Sequence, residues 1–272
     1  DLIDASLADL TQAGLVADAS AVRNRIAVRA DIDDALAGVD YVQECGPETL
    51  EAKLAIFADL DARAPDAAVL ASSSSGIGAS QFSDGLSRPA RVLVAHPVNP
   101  PHLIPLVEIC PGPQTADWAV QRTRDLMDRV DQVPVTIHKE VRGFVLNRLQ
   151  AAVLNEAFRL YEDGVVSTED LDRTVRDGLG LRWSFMGPFE TIDLNAPGGI
   201  ADYAARYGPL FEALAHEQAD PRTWSSETVA RMADERRNLL SANALEQRQT
   251  WRDRRLMALI AHKRQANRDF GD

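Results

Sequence analysis

The chain has 272 residues and a net charge of −12, with 45% hydrophobic and 26% charged residues, the balance of a globular protein and not of a disordered one. So acidic a chain is not suited to nucleic acid or an anionic membrane surface, and no run of about 18 apolar residues offers a membrane span. Five His and two Cys show neither H-E-x-x-H nor C-x-x-C spacing, so no metal site is expected.

In chain order, residues 1–14 place Leu2, Ile3, Leu7 and Leu10 at helical spacing, and 25–30 (RIAVRA) read as a short strand. A chain opening at Asp1 inside a helical pattern is read as preceded by further sequence. Residues 40–45 (DYVQEC) predict a strand and 49–63 a helix with Leu50, Leu54, Phe57 and Leu60 on one side. Strands follow at 67–72, 91–95, 106–110 and 133–138, with a helix at 116–131. Strands alternating with helices indicate a doubly wound, mostly parallel α/β sheet. From Gly143 the strands stop, and 143–163, 168–178, 199–217, 226–241 and 246–266 read as helices. The expected division is an α/β domain over 1–140 and an all-α domain over 141–272. Cys45 and Cys110 each end an apolar run and read as buried free thiols in a reducing compartment, which implies the cytoplasm.

The stretch 95–110, AHPVNPPHLIPLVEIC, carries the chemistry. Prolines at 97, 100, 101 and 105 fix φ and stiffen the loop between two strands. His96 ends the first strand, and Glu108 lies across the loop, where its carboxylate can accept a ring N–H and orient the imidazole as a base. Ligands of open α/β sheets lie outside the carboxyl ends of the strands. Glu48, Ser75 and His96 all follow strands closely at that edge. Ser75 offers a hydroxyl and Asn147, in GFVLNRLQ, an amide. A base, its orienter and two neutral donors suit alcohol oxidation or carbonyl reduction; ester hydrolysis fits less well, because Ser75 lacks a G-x-S-x-G setting. SSSSGIGAS lacks the third glycine of G-x-G-x-x-G and reads as a turn.

The motifs ASSSS, AHPVNPP with LVEI, GFVLNRLQ and MGPFETIDLN resemble those of the 3-hydroxyacyl-CoA dehydrogenase superfamily, in particular the branch containing lambda-crystallin and L-gulonate 3-dehydrogenase. The resemblance covers essentially the whole chain. It implies an NAD-binding Rossmann-like domain followed by a helical dimerisation domain. His96 takes the place of the catalytic base, Glu108 of its partner, and Ser75 and Asn147 of the groups that hold the substrate oxygen. Glu48 and Lys53, in PETLEAK, take the places of cofactor contacts; for Lys53 a solvated helix charge is an equal reading. The family's N-terminal β-α-β unit with G-x-G-x-x-G is not in this sequence.

The resemblance implies NAD-dependent oxidation of an L-3-hydroxy acid, a small-molecule substrate and a homodimer. Arg182, in DGLGLRWSFMGPFE, is the expected reader of a substrate carboxylate; the alternative is an ion pair with Asp177 or Glu190. The rival substrate is an acyl-CoA, but residues 1–22, placed where the family's CoA-contacting arm lies, contain no basic residue before Arg23. A second rival, a non-catalytic crystallin-like protein, is disfavoured by His96, Glu108, Ser75 and Asn147 occurring together. In the last helix, Trp251, Leu256, Leu259 and Ile260 form a candidate dimer stripe.

Overall fold

The computed structural model describes residues 2–271. Strands β1 (Tyr41–Glu44), β2 (Val69–Ser72), β3 (Val92–Pro97), β4 (Leu106–Pro111) and β5 (Val133–Thr136) form one sheet in chain order. All neighbours are parallel except β3 and β4. A parallel pair needs a long crossover, usually a helix, and the short proline loop cannot supply one. The loop thus forces the antiparallel step that sets His96 directly opposite Glu108.

Helices α1 (Leu2–Gln12), α2 (Ala19–Arg23) and α3 (Ile32–Leu36) precede β1. Helix α4 (Leu50–Arg63) connects β1 to β2, α5 (Ser80–Ser83) follows β2, and α6 (Asp117–Arg129) connects β4 to β5. Thr49 caps α4, its hydroxyl accepting the Ala52 N–H at 3.3 Å. One sheet face, with Leu70, Val92 and Val94, packs on Phe57 and Leu60 of α4. The other, with Val69, Ala71, Leu93 and Ala95, packs on Ala119 of α6. Burial on both faces explains why β2 and β3 read as unbroken apolar runs.

Two expectations fail here. RIAVRA forms no strand: residues 25–30 are exposed, and among the described residues no strand lies on the outer side of β1 to give them a ladder. The stretch before Arg23 is not one helix but two, α1 and α2, parted by a turn at Gly14, whose φ is +72°.

The remainder is helical: α7 (Leu146–Glu162), α8 (Thr168–Arg173), α9 (Gly180–Trp183), α10 (Pro188–Leu194), α11 (Gly199–Glu217), α12 (Ser226–Leu239) and α13 (Leu245–Phe270). The expected helix 168–178 is α8 continued by a π-helical stretch, Thr174–Leu179. Helix α10 was missed, although Gly187 as cap and Pro188 at the first helical position signal its start.

The chain divides into two compact units, one running to Leu149 and resuming at Arg252, the other spanning Gln150–Trp251. The start of α7 and most of α13 thus group with the sheet by contact, although both lie beyond residue 140. Most of α13 belongs with the sheet because Leu256, Met257 and Ile260 pack with Leu10 and Leu103. Half of the proposed dimer stripe, Leu256 and Ile260, packs half-buried against this internal cluster, while Trp251 and Leu259 are exposed.

Candidate active site

His96 and Glu108 are cross-strand partners, both buried. The imidazole Nδ1 lies 2.9 Å from Glu108 Oε2. The other carboxylate oxygen accepts the Val145 and Leu146 N–H groups, each at 2.8 Å, at the start of α7. Helix N-termini present free N–H groups and a partial positive charge, which favours a carboxylate there. The turn that aims these amides is unusual: Gly143 has φ +76° and Phe144 has φ +49°, left-handed values that a residue with a bulky side chain seldom adopts. Phe144 is fully buried, its ring centroid 5.7 Å from that of His96. Burial of the phenyl ring therefore holds a costly backbone conformation that in turn holds Glu108. Sequence reading found the His96–Glu108 pair and missed the two amides, although the Gly143-Phe144 step before a helix was a visible clue.

Ser75 and Asn147 are also brought together, but through the backbone: the Asn147 amide nitrogen donates to the Ser75 carbonyl at 2.8 Å. Among the described residues the Ser75 hydroxyl makes no hydrogen bond, so it is free for a ligand. Asn147 lies in the first turn of α7, in the same unit as the sheet.

Glu48 is half exposed, and its Oε1 accepts the Ser74 hydroxyl at 2.7 Å, the Ser75 N–H at 2.9 Å and the Gly76 N–H at 3.2 Å. Lys53 departs from both expectations. It is 1% exposed, which excludes a solvated charge, and its ammonium donates to both oxygens of Glu44 at 2.8 and 3.0 Å. It reaches Glu48 only at 3.9 Å. Lys53 therefore faces the interior behind Glu48 and does not itself present a cation to the strand edge. Glu44, a buried carboxylate ending β1, was not singled out from the sequence.

Arg182 is exposed on α9 and forms no ion pair among the described residues. Asp177, one of the two partners weighed for it, is instead engaged by Arg176 at 2.6 Å, which holds its carboxyl below the ordinary value. The cysteines are both free; Cys110 is buried, whereas Cys45 is exposed, contrary to expectation, because the turn after β1 carries it to the sheet's edge.

Comparison with known proteins places the chain in a family. Residues 1–141 match the NAD binding domain of 3-hydroxyacyl-CoA dehydrogenase, and residues 143–239 match its C-terminal domain. The chain is 43% identical over 237 residues to lambda-crystallin of Oryctolagus cuniculus, covering 86% of this chain and 74% of that one. It is 37% identical over 204 residues to an L-carnitine dehydrogenase of Pseudomonas putida, covering 75% and 63%. Among solved structures it resembles an NAD+-dependent dismutase, 5-formyl-3-hydroxy-2-methylpyridine 4-carboxylic acid 5-dehydrogenase. The TM-score is 0.76 at 27% identity, over 94% of this chain and 82% of that one. The chain belongs to the 3-hydroxyacyl-CoA dehydrogenase superfamily, in its lambda-crystallin branch, and is an NAD-dependent oxidoreductase of hydroxyl groups.

Proposed function

We propose that the protein oxidises a free L-3-hydroxy acid of the L-gulonate type to the 3-oxo acid, with His96 as base and Glu108 as its partner. The buried His96–Glu108 pair, with its second oxygen held by two helix N–H groups, carries this reading. A carboxylate at Nδ1 favours the tautomer with its proton there, which leaves Nε2 as the basic nitrogen. Nε2 removes the hydroxyl proton, and Glu108 stabilises the imidazolium that results. The Ser75 hydroxyl and the second N–H of the Asn147 amide steady the substrate oxygen as it becomes a carbonyl.

NAD supplies the hydride acceptor when bound. At the strand edge, Glu48 Oε1 is saturated by three donors, while Oε2 of the half-exposed side chain accepts no hydrogen bond and has only the Lys53 ammonium 3.9 Å behind it. That oxygen suits a ribose hydroxyl, so the residues present fit the nicotinamide-ribose end. The glycine-rich turn that would cradle the pyrophosphate does not occur in this sequence.

Arg182 supports a free acid over a thioester. A guanidinium without an internal partner matches a carboxylate bidentately, and a neutral thioester leaves it unpaired. The L-carnitine dehydrogenases among the relatives are named for a substrate that is itself a 3-hydroxy carboxylic acid. The test is Arg182→Met assayed on a hydroxy acid and on its neutral amide, together with 3-hydroxybutyryl-CoA. A large loss confined to the acid supports the assignment, and equal losses refute it. Activity on the thioester alone would favour the acyl-CoA reading, and no activity on any substrate the crystallin-like one.

A homodimer in the cytoplasm is part of the proposal. In the unit Gln150–Trp251 the described apolar residues that are buried are only Ala157, Tyr161 and Ala196. Leu181, Phe185, Phe189, Leu194 and Leu210 are all more than half exposed. So much uncovered apolar surface is typical of an interface, and a second copy is the occupant we assign to it.

A further inference from the structure

We propose that Glu44 is a positioning residue, which sets Glu48 and, through it, the turn that carries Ser75. The proposal rests on the roles given to Glu48 and Ser75 above. Three segments meet on its buried carboxylate. The Gly46 N–H bonds Oε1 from the turn after β1, Lys53 bonds both oxygens from α4, and the Ser72 hydroxyl bonds Oε2 at 2.8 Å from the end of β2. Gly46 leaves room for this closure. A Cβ there would lie 2.8 Å from Glu44 Oε1 and 2.7 Å from Ile56 Cδ1.

Two routes lead outward from this knot to the ligand edge. Through Lys53, Glu44 holds a cation in the interior 3.9 Å behind Glu48 Oε2, which attracts that carboxylate inward. Through Ser72, whose hydroxyl also accepts the Ser74 N–H at 3.2 Å, it fixes the first residues of the turn. Glu48 then closes the circuit by accepting from Ser74, Ser75 and Gly76. A buried ion pair is weak evidence for stability, since a well-packed apolar pair of similar volume is often as stable or more so. Here the pair is instead connected at both ends to the groups that meet substrate and cofactor. Its role is geometric.

The distinguishing variant is the double replacement Glu44→Leu with Lys53→Met, which removes both charges and keeps the volume. It leaves no unpaired charge but takes the acceptor from the Ser72 hydroxyl and the Gly46 N–H, so it should stay folded and melt modestly below the wild-type temperature. Hydrogen exchange of the peptide spanning residues 72–77, measured without cofactor, should nonetheless quicken by tenfold or more, and the KM for NAD should rise as kcat falls. A folded double variant with unchanged exchange and unchanged KM overturns the proposal. Should the double variant fail to fold, Ser72→Ala interrupts the second route alone; unchanged exchange at Ser75 and Gly76 there overturns it equally. His96→Ala separates this from the catalytic reading. That variant should lose turnover with wild-type exchange at the turn, and if it keeps turnover the catalytic reading fails while the exchange result for Glu44 still stands or falls by itself.

Discussion

Glu108→Gln asks the sharpest question of this site. The carboxylate is 1% exposed and accepts three hydrogen bonds, from His96 and from the Val145 and Leu146 amides. A glutamine has one accepting oxygen and one donating nitrogen. The two backbone donors cannot turn into acceptors, so the amide oxygen must stay on them and the NH2 must face His96. Nδ1 then becomes the acceptor, the ring proton moves to Nε2, and the base has lost the lone pair it needs. Since general base catalysis contributes about 10²–10⁴-fold, kcat should fall by roughly that factor. Stability should change little by comparison, because every group keeps a partner. Glu108→Ala, by contrast, strands the buried imidazole N–H and two partly buried amides, at a cost on the order of 2–4 kcal/mol. That is a large share of the roughly 5–15 kcal/mol that holds a domain together. Turnover followed by absorbance of the reduced nicotinamide, with thermal melts of both variants, separates the two effects. A Glu108→Gln enzyme within threefold of wild-type kcat, or one that melts as low as Glu108→Ala, would refute the tautomer argument.

His96→Ala should abolish turnover while circular dichroism stays that of the folded protein; near-normal kcat would remove His96 from the mechanism. In the native state one thiol per chain should react with an alkylating reagent, and two after unfolding. Cys45 is exposed, whereas burial, aided by Glu140 and Glu108, pushes the Cys110 thiol up to about 12; two fast equivalents would contradict that burial. Asp61 makes an acid-side prediction. Burial alone would raise its carboxyl, but bonds from Arg91 and from the Ser87 and Arg88 N–H groups hold it below its ordinary value of 3.8. The unfolded chain binds this proton more readily than the folded one, so stability rises with pH. The contribution is complete above 3.8 and lost as pH falls through the lower, folded value. Urea melts across acid pH should show that decline, and Asp61→Asn should flatten it. Light scattering at micromolar concentration should give the mass of two chains; a monomer would leave the exposed apolar surface of α9 and α10 unexplained.

The parts of the fold that were legible in the sequence are those whose signal is local. Strands β2 and β3 announce themselves as continuous apolar runs because both sheet faces are covered, and Leu50–Arg63 carries its cap and its stripe within one segment. RIAVRA was misread because a strand needs a neighbour, and an apolar run does not reveal whether one exists. In the site, the His96–Glu108 pairing was legible because a short stiff loop fixes cross-strand register. Lys53 was not, because a lysine in a helical pattern looks the same whether it meets water or a carboxylate in the interior. That distinction depends on Glu44, nine residues earlier, pointing the same way, and on the Ser72 hydroxyl, which comes from another strand. Glu108's second anchor was hidden for a similar reason: backbone amides have no letter of their own in a sequence.

The way α13 joins the sheet-bearing unit has a consequence for how the protein is made. Leu10 and Leu103 meet Met257, so a contact that completes the sheet-bearing unit waits until α13, synthesised after the whole Gln150–Trp251 unit, has left the ribosome. Until then Leu10 and Leu103 have only Ala13, Leu15 and Val16 beside them, and the intervening helices must fold as an excursion from an unfinished body. Closing so long a loop costs little more entropy than closing one half its length, since the penalty grows only with the logarithm of length. The delay is therefore one of timing more than of equilibrium. A nascent chain halted before Arg252 would expose an apolar seam, a natural target for chaperones, that the finished protein conceals.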